Sequence, residues 1–289
     1  MPQLTLVEVS PQAKRLAVLG HPVSHSRSPA MQNAALEALG LAGAWSYEAI
    51  DVEPSEFAER TRELPGRGFA GVNVTIPHKE AALLLADEAS EAAERIGAAN
   101  TLSFREGAIR ADNTDATGLL AALPGSVEGR RALVLGAGGS ARAAVWALAE
   151  HGAPVSVWNR TPERADELVR DLVRTGGGTT AEGRLRAVTA EQVRANGYEL
   201  IVNCTAIGMR DEDPFEHLPL DPERLGAGVM VVDLVYASSE SRLVREARKR
   251  NAIVVEGLEV LVRQGADSLR IWTGLEPPLE VMRSAARGA

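Results

Sequence analysis

The 289-residue chain is poor in the residues that build disulfide scaffolds, metal centres and aromatic platforms: it has one cysteine, five histidines and only 4% Phe, Trp and Tyr. A single thiol, Cys204, excludes an internal disulfide and any site made of several thiolates, and is expected to be a small buried apolar residue. His21 and His25 alone share a helical spacing, and Pro22 between them, in a loop rich in Ser and Pro, excludes a zinc-binding helix there. No metal is expected. No apolar run approaches a membrane span and the first residues lack the charged-then-apolar order of a signal peptide, so the expected location is the cytoplasm. An excess of positive charge is also missing: 31 Lys and Arg against 39 Asp and Glu give a formal net charge of −8. That argues against a general affinity for nucleic acid or anionic membrane, while leaving room for a local basic site. The expected partner is a small molecule. The oligomeric state stays open, a homodimer being one option.

What the chain does have is a middle stretch, residues 131–146, that passes from the apolar run Ala132-Leu133-Val134-Leu135 through Gly136-Ala137-Gly138-Gly139-Ser140-Ala141 into a helical pattern. It reads as strand, phosphate loop and helix. Gly136 permits the tight turn, Gly138 lets backbone N–H groups approach a pyrophosphate, and Ala141 keeps the helix close to its strand with its N-terminus facing the anion. A glycine turn without a ligand would look the same from the motif alone, and two further features favour the dinucleotide. His151-Gly152 closes the helix and residues 154–158 follow as a second apolar strand, completing a βαβ unit. At the end of that strand, where NAD-binding folds usually carry Asp or Glu against the ribose 2′-hydroxyl, stand Asn159, Arg160 and Thr161, with Arg164 one turn later. Guanidinium groups form charge-assisted hydrogen bonds with a 2′-phosphate, and cations are unfavourable in a first helical turn unless an anion sits there. The expected cofactor is NADP(H) rather than NAD.

The length allows two domains, each with its own core. In chain order, residues 16–20 form a short buried strand, and a hydroxyl loop with Ser24, Ser26 and Ser28 follows. Ser28 is expected to cap a helix with Pro29 at its first position and Gly40 past its end. Hydroxyls at a strand's C-terminal end and a helix N-terminus suit a carboxylate, although turn formation alone would also explain them. Residues 45–50 are a strand and 54–64 a helix. Apolar residues at period two run from 69 to Thr75, and Pro77 turns the chain into a helix near His78, so that Thr75 and Lys79 project from a strand end. A lysine in a first helical turn is commonly solvated, but it is poorly placed for the helix dipole, which favours a function. Residues 88–97 read as helix, 98–104 as a strand entered through Asn100, and Glu106-Gly107 as a hairpin turn. Asp112-Asn113-Thr114-Asp115 precede a helix over 116–123; capping needs one or two of these, leaving Asp115 free to orient a lysine. Beyond a linker at 124–129 and the βαβ unit come a helix to about Thr175, a loop at Gly176-Gly177-Gly178, and a strand at 200–205. An acidic loop at 209–219, a strand at 229–236 ending in Tyr236, a helix at 241–251 and a strand at 253–255 follow. The helix over 258–272 has an apolar stripe of Leu258, Leu261, Val262, Leu269 and Trp272, with Gln264 off it. Residues 278–286 form the last helix. The Gln264 helix is expected to return to the N-terminal domain.

Taken together, the Ser26/Ser28 loop, Asn73-Val74-Thr75-Ile76-Pro77-His78-Lys79, Asn100-Thr101, Asp112-Asn113-Thr114-Asp115, the glycine loop and Asn159-Arg160-Thr161 resemble shikimate dehydrogenases over nearly the whole chain. The resemblance implies an α/β fold of two domains facing each other across a cleft: an α/β substrate domain of residues 1–115 and 257–289, and a Rossmann-type domain of residues 116–256. It implies NADPH-dependent reversible reduction of 3-dehydroshikimate to shikimate, with Lys79 and Asp115 as the catalytic pair. Ser26, Ser28 and Tyr236 would hold the carboxylate, and Thr75, Asn100 and Gln264 would contact ring hydroxyls or the cleft around them. Gly136 to Ala141, Asn159, Arg160, Thr161 and Arg164 would hold the cofactor, with further contacts near Glu91, Leu234 and Gly257. The chain departs from the family pattern at Gln32, where His is common, at Ala237 to Ser241, where a Pro-containing turn is usual, and at Glu259-Val260, where Gly-Met is common. A quinate or mixed quinate/shikimate dehydrogenase is the alternative within enzymes, and a binding sensor without chemistry is the alternative outside them.

Overall fold

The computed structural model describes residues 13–175, 183–209, 212–235 and 240–288. The chain first builds β1 (Lys14–Gly20), α1 (Ser28–Ala38), β2 (Trp45–Asp51), α2 (Phe57–Glu63), β3 (Phe69–Val74), α3 (Lys79–Leu85), β4 (Glu88–Ala89), α4 (Glu91–Ile96), β5 (Thr101–Arg105) and β6 (Ala108–Asp112). These strands make one six-stranded sheet in the order β2-β1-β3-β5-β6-β4. Along β1, Leu16 and Val18 point to one face and Ala17 and Leu19 to the other, each face into its own core cluster. With both faces covered, the strand is apolar at successive positions, as in parallel sheets generally.

Helix α5 (Asp115–Ala122) then leads out of this sheet into a second one. Its elements are β7 (Ala132–Leu135), α6 (Gly139–Glu150), β8 (Val155–Trp158), α7 (Pro162–Thr175), β9 (Leu185–Ala187), α8 (Ala190–Ala195), β10 (Leu200–Asn203), α9 (Pro214–His217), β11 (Met230–Asp233), α10 (Arg242–Lys249) and β12 (Ile253–Glu256). All pairs are parallel, in the order β12-β11-β10-β7-β8-β9. This is the doubly wound dinucleotide-binding order, with its switch point between β7 and β10. Ala132 and Val134 face one core cluster, Leu133 and Leu135 the other.

Helix α11 (Gly257–Thr273) and α12 (Leu279–Gly288) follow. They cover the first sheet rather than the second: Val262, Ala266, Leu269, Trp272, Met282 and Ala286 share one cluster with Leu16, Val18 and Met31. The close fit is set by two glycines. A Cβ on Gly118 of α5 would lie 2.7 Å from the backbone nitrogen of Gln264 in α11, and one on Gly71 of β3 would lie 2.2 Å from Trp272 Nε1. Two of the departures fit into this packing. Buried Gln32 of α1 donates from Nε2 to the Gly265 carbonyl at 2.9 Å, tying α1 to α11, while its Oε1 has no partner among the described residues. Glu259 accepts from Arg283 of α12 and from Arg263, and the Arg283 guanidinium above all holds its carboxyl down at about 2. No helix among the described residues is long and apolar enough to cross a membrane.

Several local expectations are corrected. Ser28 is the first residue of α1 and not its cap: Arg27 holds the cap position, its side chain not capping the helix but donating from Nη1 to the Ala286 carbonyl at 3.1 Å, and the Ser26 hydroxyl accepts the Ser28 N–H at 3.3 Å. Residues 88–97 are not one helix, because Glu88–Ala89 pairs with β6 as a strand and Ser90 then caps α4 by accepting the Ala93 N–H. The strand at 229–236 is shorter than its apolar run, spanning Met230–Asp233. The acidic loop contains α9, started by Pro214 and capped by Asp213. The loop at Gly176 to Gly178 lies outside the described residues.

Candidate active site

Pairing register places the polar motifs of the first sheet along one edge. β1 and β3 run parallel with Leu19 opposite Val74, so the Ser26 loop and Thr75 to Lys79 leave the sheet side by side. β5 runs antiparallel with Thr101 opposite Asn73, so it enters from that same edge through Asn100. β6 pairs Asp112 with Thr101 and exits there into Asp115. One edge therefore collects residues from four separate stretches of sequence, and a Cβ on Gly20 would meet Thr75 Cγ2 at 2.4 Å, which shows how closely the first two loops approach.

Lys79 is 9% exposed and its Nζ donates to Asp115 Oδ2 at 2.5 Å. A buried ammonium at a helix start is costly unless paired, and the carboxylate supplies that pairing. Asp115 is itself fixed: its Oδ1 accepts from Asn100 Nδ2 at 2.9 Å, and its backbone N–H is accepted by Asn113 Oδ1 at 3.1 Å. Asn100 Nδ2 also lies 3.0 Å from Gln264 Oε1 and 2.9 Å from Thr114 Oγ1. Gln264, off the apolar stripe, is 8% exposed and faces this network. Behind it lies a hub that sequence reasoning missed. The Ser268 hydroxyl, fully buried, is within 3.1 Å of Asn73 Nδ2, Thr101 Oγ1, Thr114 Oγ1 and the Gln264 carbonyl. Its only signal in sequence is a polar residue four after Gln264. His78, next to Lys79, stacks on Phe57 and hydrogen-bonds the Val52 carbonyl through Nε2 at 2.7 Å, and burial pushes its pKa below the usual value.

The second sheet offers the facing edge. Gly136 follows β7 at φ +111°, and a Cβ there would press on the Cys204 backbone at 3.3 Å. The path of the loop thus requires glycine. Nothing lies within 4 Å of a Cβ on Gly138, and α6 begins at Gly139 with no side-chain cap. Unsatisfied N–H groups at an open helix N-terminus are what a pyrophosphate needs, so Gly136 to Ala141 fit a dinucleotide. After β8, Asn159 Nδ2 donates to the Thr161 carbonyl at 2.9 Å, while Arg160 and Arg164 are exposed and carry no ion pair among the described residues. At the far strands, a Cβ on Gly257 would sit 2.7 Å from the Leu234 carbonyl oxygen, so these two positions touch. Between them and β10, the buried Asp233 carboxyl accepts from Asn203, Ser241 and the Val235 N–H, with burial raising its pKa. Glu91 opens α4 at the edge of the first sheet, exposed and paired with Arg95. Tyr236, and Ala237 to Ser239 after it, lie outside the described residues. The two edges meet: Lys79 Nζ donates to Ser140 Oγ at 2.9 Å.

The chain is similar to known proteins over most of its length. A family model described as the shikimate dehydrogenase substrate binding domain matches residues 18–102, one described as shikimate / quinate 5-dehydrogenase matches 119–202, and one described as the shikimate 5'-dehydrogenase C-terminal domain matches 257–287. A shikimate dehydrogenase (NADP(+)) of Thermus thermophilus is 47% identical over 278 residues, covering 95% of this chain and 98% of its own. A shikimate 5-dehydrogenase from another strain of that species, solved in complex with NADP(H) and shikimate, superposes with a TM-score of 0.81 at 44% identity, over 95% of this chain and 98% of its own. The Aquifex aeolicus shikimate dehydrogenase superposes with a TM-score of 0.85 at 34% identity, over 96% and 99%.

Proposed function

The chain belongs to the shikimate dehydrogenase family, and from that premise we propose that it is an NADP-dependent oxidoreductase interconverting shikimate and 3-dehydroshikimate, with Lys79 and Asp115 as its acid–base pair. The observation that carries this reading is the Lys79–Asp115 contact of 2.5 Å at the place where the two sheet edges meet. NADPH, when bound, supplies the hydride for the ring carbonyl. As negative charge develops on that oxygen, the Lys79 ammonium donates a proton to it, and Asp115 keeps the ammonium oriented and compensated. In the reverse direction the pair takes the proton back. Substrate binding is assigned to Ser26, Ser28 and Tyr236 for the carboxylate, and to Thr75, Asn100 and Gln264 for the ring hydroxyls. Cofactor binding is assigned to Gly136 to Ala141 for the pyrophosphate and to Asn159, Arg160, Thr161 and Arg164 for the adenosine 2′-phosphate. Glu91, Leu234 and Gly257 complete the cofactor set. Residues 1–115 and 257–289 would then be the substrate body and 116–256 the cofactor body.

Steady-state oxidation of shikimate and of quinate, each with NADP+ and with NAD+, tests the reading. The highest kcat/KM is expected for shikimate with NADP+. A quinate preference would move the assignment to the quinate alternative, which the shikimate / quinate family model keeps open, and no turnover with any pair would leave a binding protein. A finer test is Gln264→Ala. Losing one neutral hydrogen bond should weaken shikimate by about 0.5 to 1.5 kcal/mol, seen as a rise in its KM, with NADP affinity unchanged. An unaltered KM would remove α11 from the substrate site.

A further inference from the structure

Lys79 has three N–H groups, and the described residues account for two of them. One goes to Asp115 Oδ2 at 2.5 Å, from the edge of the first sheet; the other goes to Ser140 Oγ at 2.9 Å, from the helix that starts the second. An ammonium held by one acceptor can spin about its Cε–Nζ bond. Held by two, its third N–H has one direction left. Ser140 is the second residue of α6, yet its hydroxyl does not cap that helix, which has no side-chain cap at all. The neighbouring Gly139 shows that the approach is built in: a Cβ there would stand 2.6 Å from Lys79 Cβ, so the loop lies directly on the lysine stem. We infer that Ser140 is a positioning residue for Lys79, fixing the ammonium so that its remaining N–H points at the substrate oxygen. This role is distinct from phosphate contact through the Ser140 backbone, and it rests on the acid–base reading of Lys79 given above. It also makes the aim of the lysine conditional on the two sheets being together, since the two acceptors come from different sheets.

The test compares Ser140→Ala, Ser140→Thr, Lys79→Ala and the Ser140→Ala/Lys79→Ala double variant by kcat, shikimate KM and NADP dissociation constant. A hydrogen bond to a charged group justifies an expected fall in kcat of about tenfold or more for Ser140→Ala. NADP affinity should change by less than about threefold, because the backbone donors remain. Ser140→Thr, which keeps the hydroxyl, should recover most of the rate, and in the Lys79→Ala background Ser140→Ala should cost nothing further. If the serine change lowers kcat equally with and without Lys79, or weakens NADP by the same factor as kcat, Ser140 acts on the phosphate or the fold and the inference is overturned. Full turnover in Ser140→Ala beside a collapsed Lys79→Ala also overturns it alone. Undiminished turnover in Lys79→Ala overturns the acid–base reading, and this inference with it.

Discussion

Lys79→Ala is expected to lower shikimate turnover by about 10² to 10⁴, the usual contribution of a general acid or base, with NADP affinity nearly unchanged. The structure explains why the two effects should separate. Alanine keeps the Cβ that packs on Gly139, so the glycine loop has no reason to move, while Nζ and its bonds to Asp115 and Ser140 are lost. Asp115 is left without its cation, but Asn100 still donates to it, which limits the cost of the unpaired carboxylate. Unaltered NADP binding, by fluorescence titration, would show that the variant is folded. If turnover survived and only the Michaelis constant rose, Lys79 would bind substrate without exchanging a proton, and another acid would have to be found.

Arg160→Ala is expected to weaken NADP by about tenfold or more and to leave NAD nearly untouched, since a hydrogen bond to a charged group contributes roughly 1.5 to 3 kcal/mol and only NADP carries the 2′-phosphate. Arg160 is exposed and makes no ion pair among the described residues, so its removal should not disturb β8 or α7. The ratio of NADP to NAD kcat/KM is the measurement. A residual preference that disappears only when Arg164 is also replaced would divide the phosphate between the two guanidinium groups. Equal losses for both cofactors would mean that Arg160 supports the fold.

Much of this site was legible because its residues stand at changes of backbone pattern. Glycine run, strand end and helix start coincide at Gly136 to Ala141, and a β-period breaks at Pro77 just before Lys79. What was not legible has a common physical origin: the signal lay in the partner and not in the segment. Glu88–Ala89 and Leu185–Ala187 are too short for a period, and are strands only because β6 and β8 stand beside them. Ser28 looks like a cap, yet the helix starts one residue earlier than a capping serine would require. Gly118 weakens the helix it stands in, and the reason for a glycine there is the backbone of Gln264 packed against it. Ser268 and Thr114 are hydroxyls of the commonest kind, and become a network only when α11 is laid against β5 and the start of α5.

The return of α11 and α12 to the first sheet also bears on the order in which the molecule can form. Strand β1 leaves the ribosome before the other described elements, but the face carrying Leu16 and Val18 is covered only in part by α1, the rest of its cover coming from α11 and α12, which are made after all of them. The second sheet, contiguous from β7 to β12, has all of its strands before those helices are made. Synthesis order and completion order are therefore reversed, the body begun first being finished last, and the part of its apolar face that α11 and α12 cover must wait exposed while more than half of the chain is translated. Such waiting surfaces are where nascent chains aggregate. A premature stop before α11 would thus leave the cofactor-type sheet intact in sequence and one face of the first sheet covered by α1 alone, a product prone to aggregation or degradation.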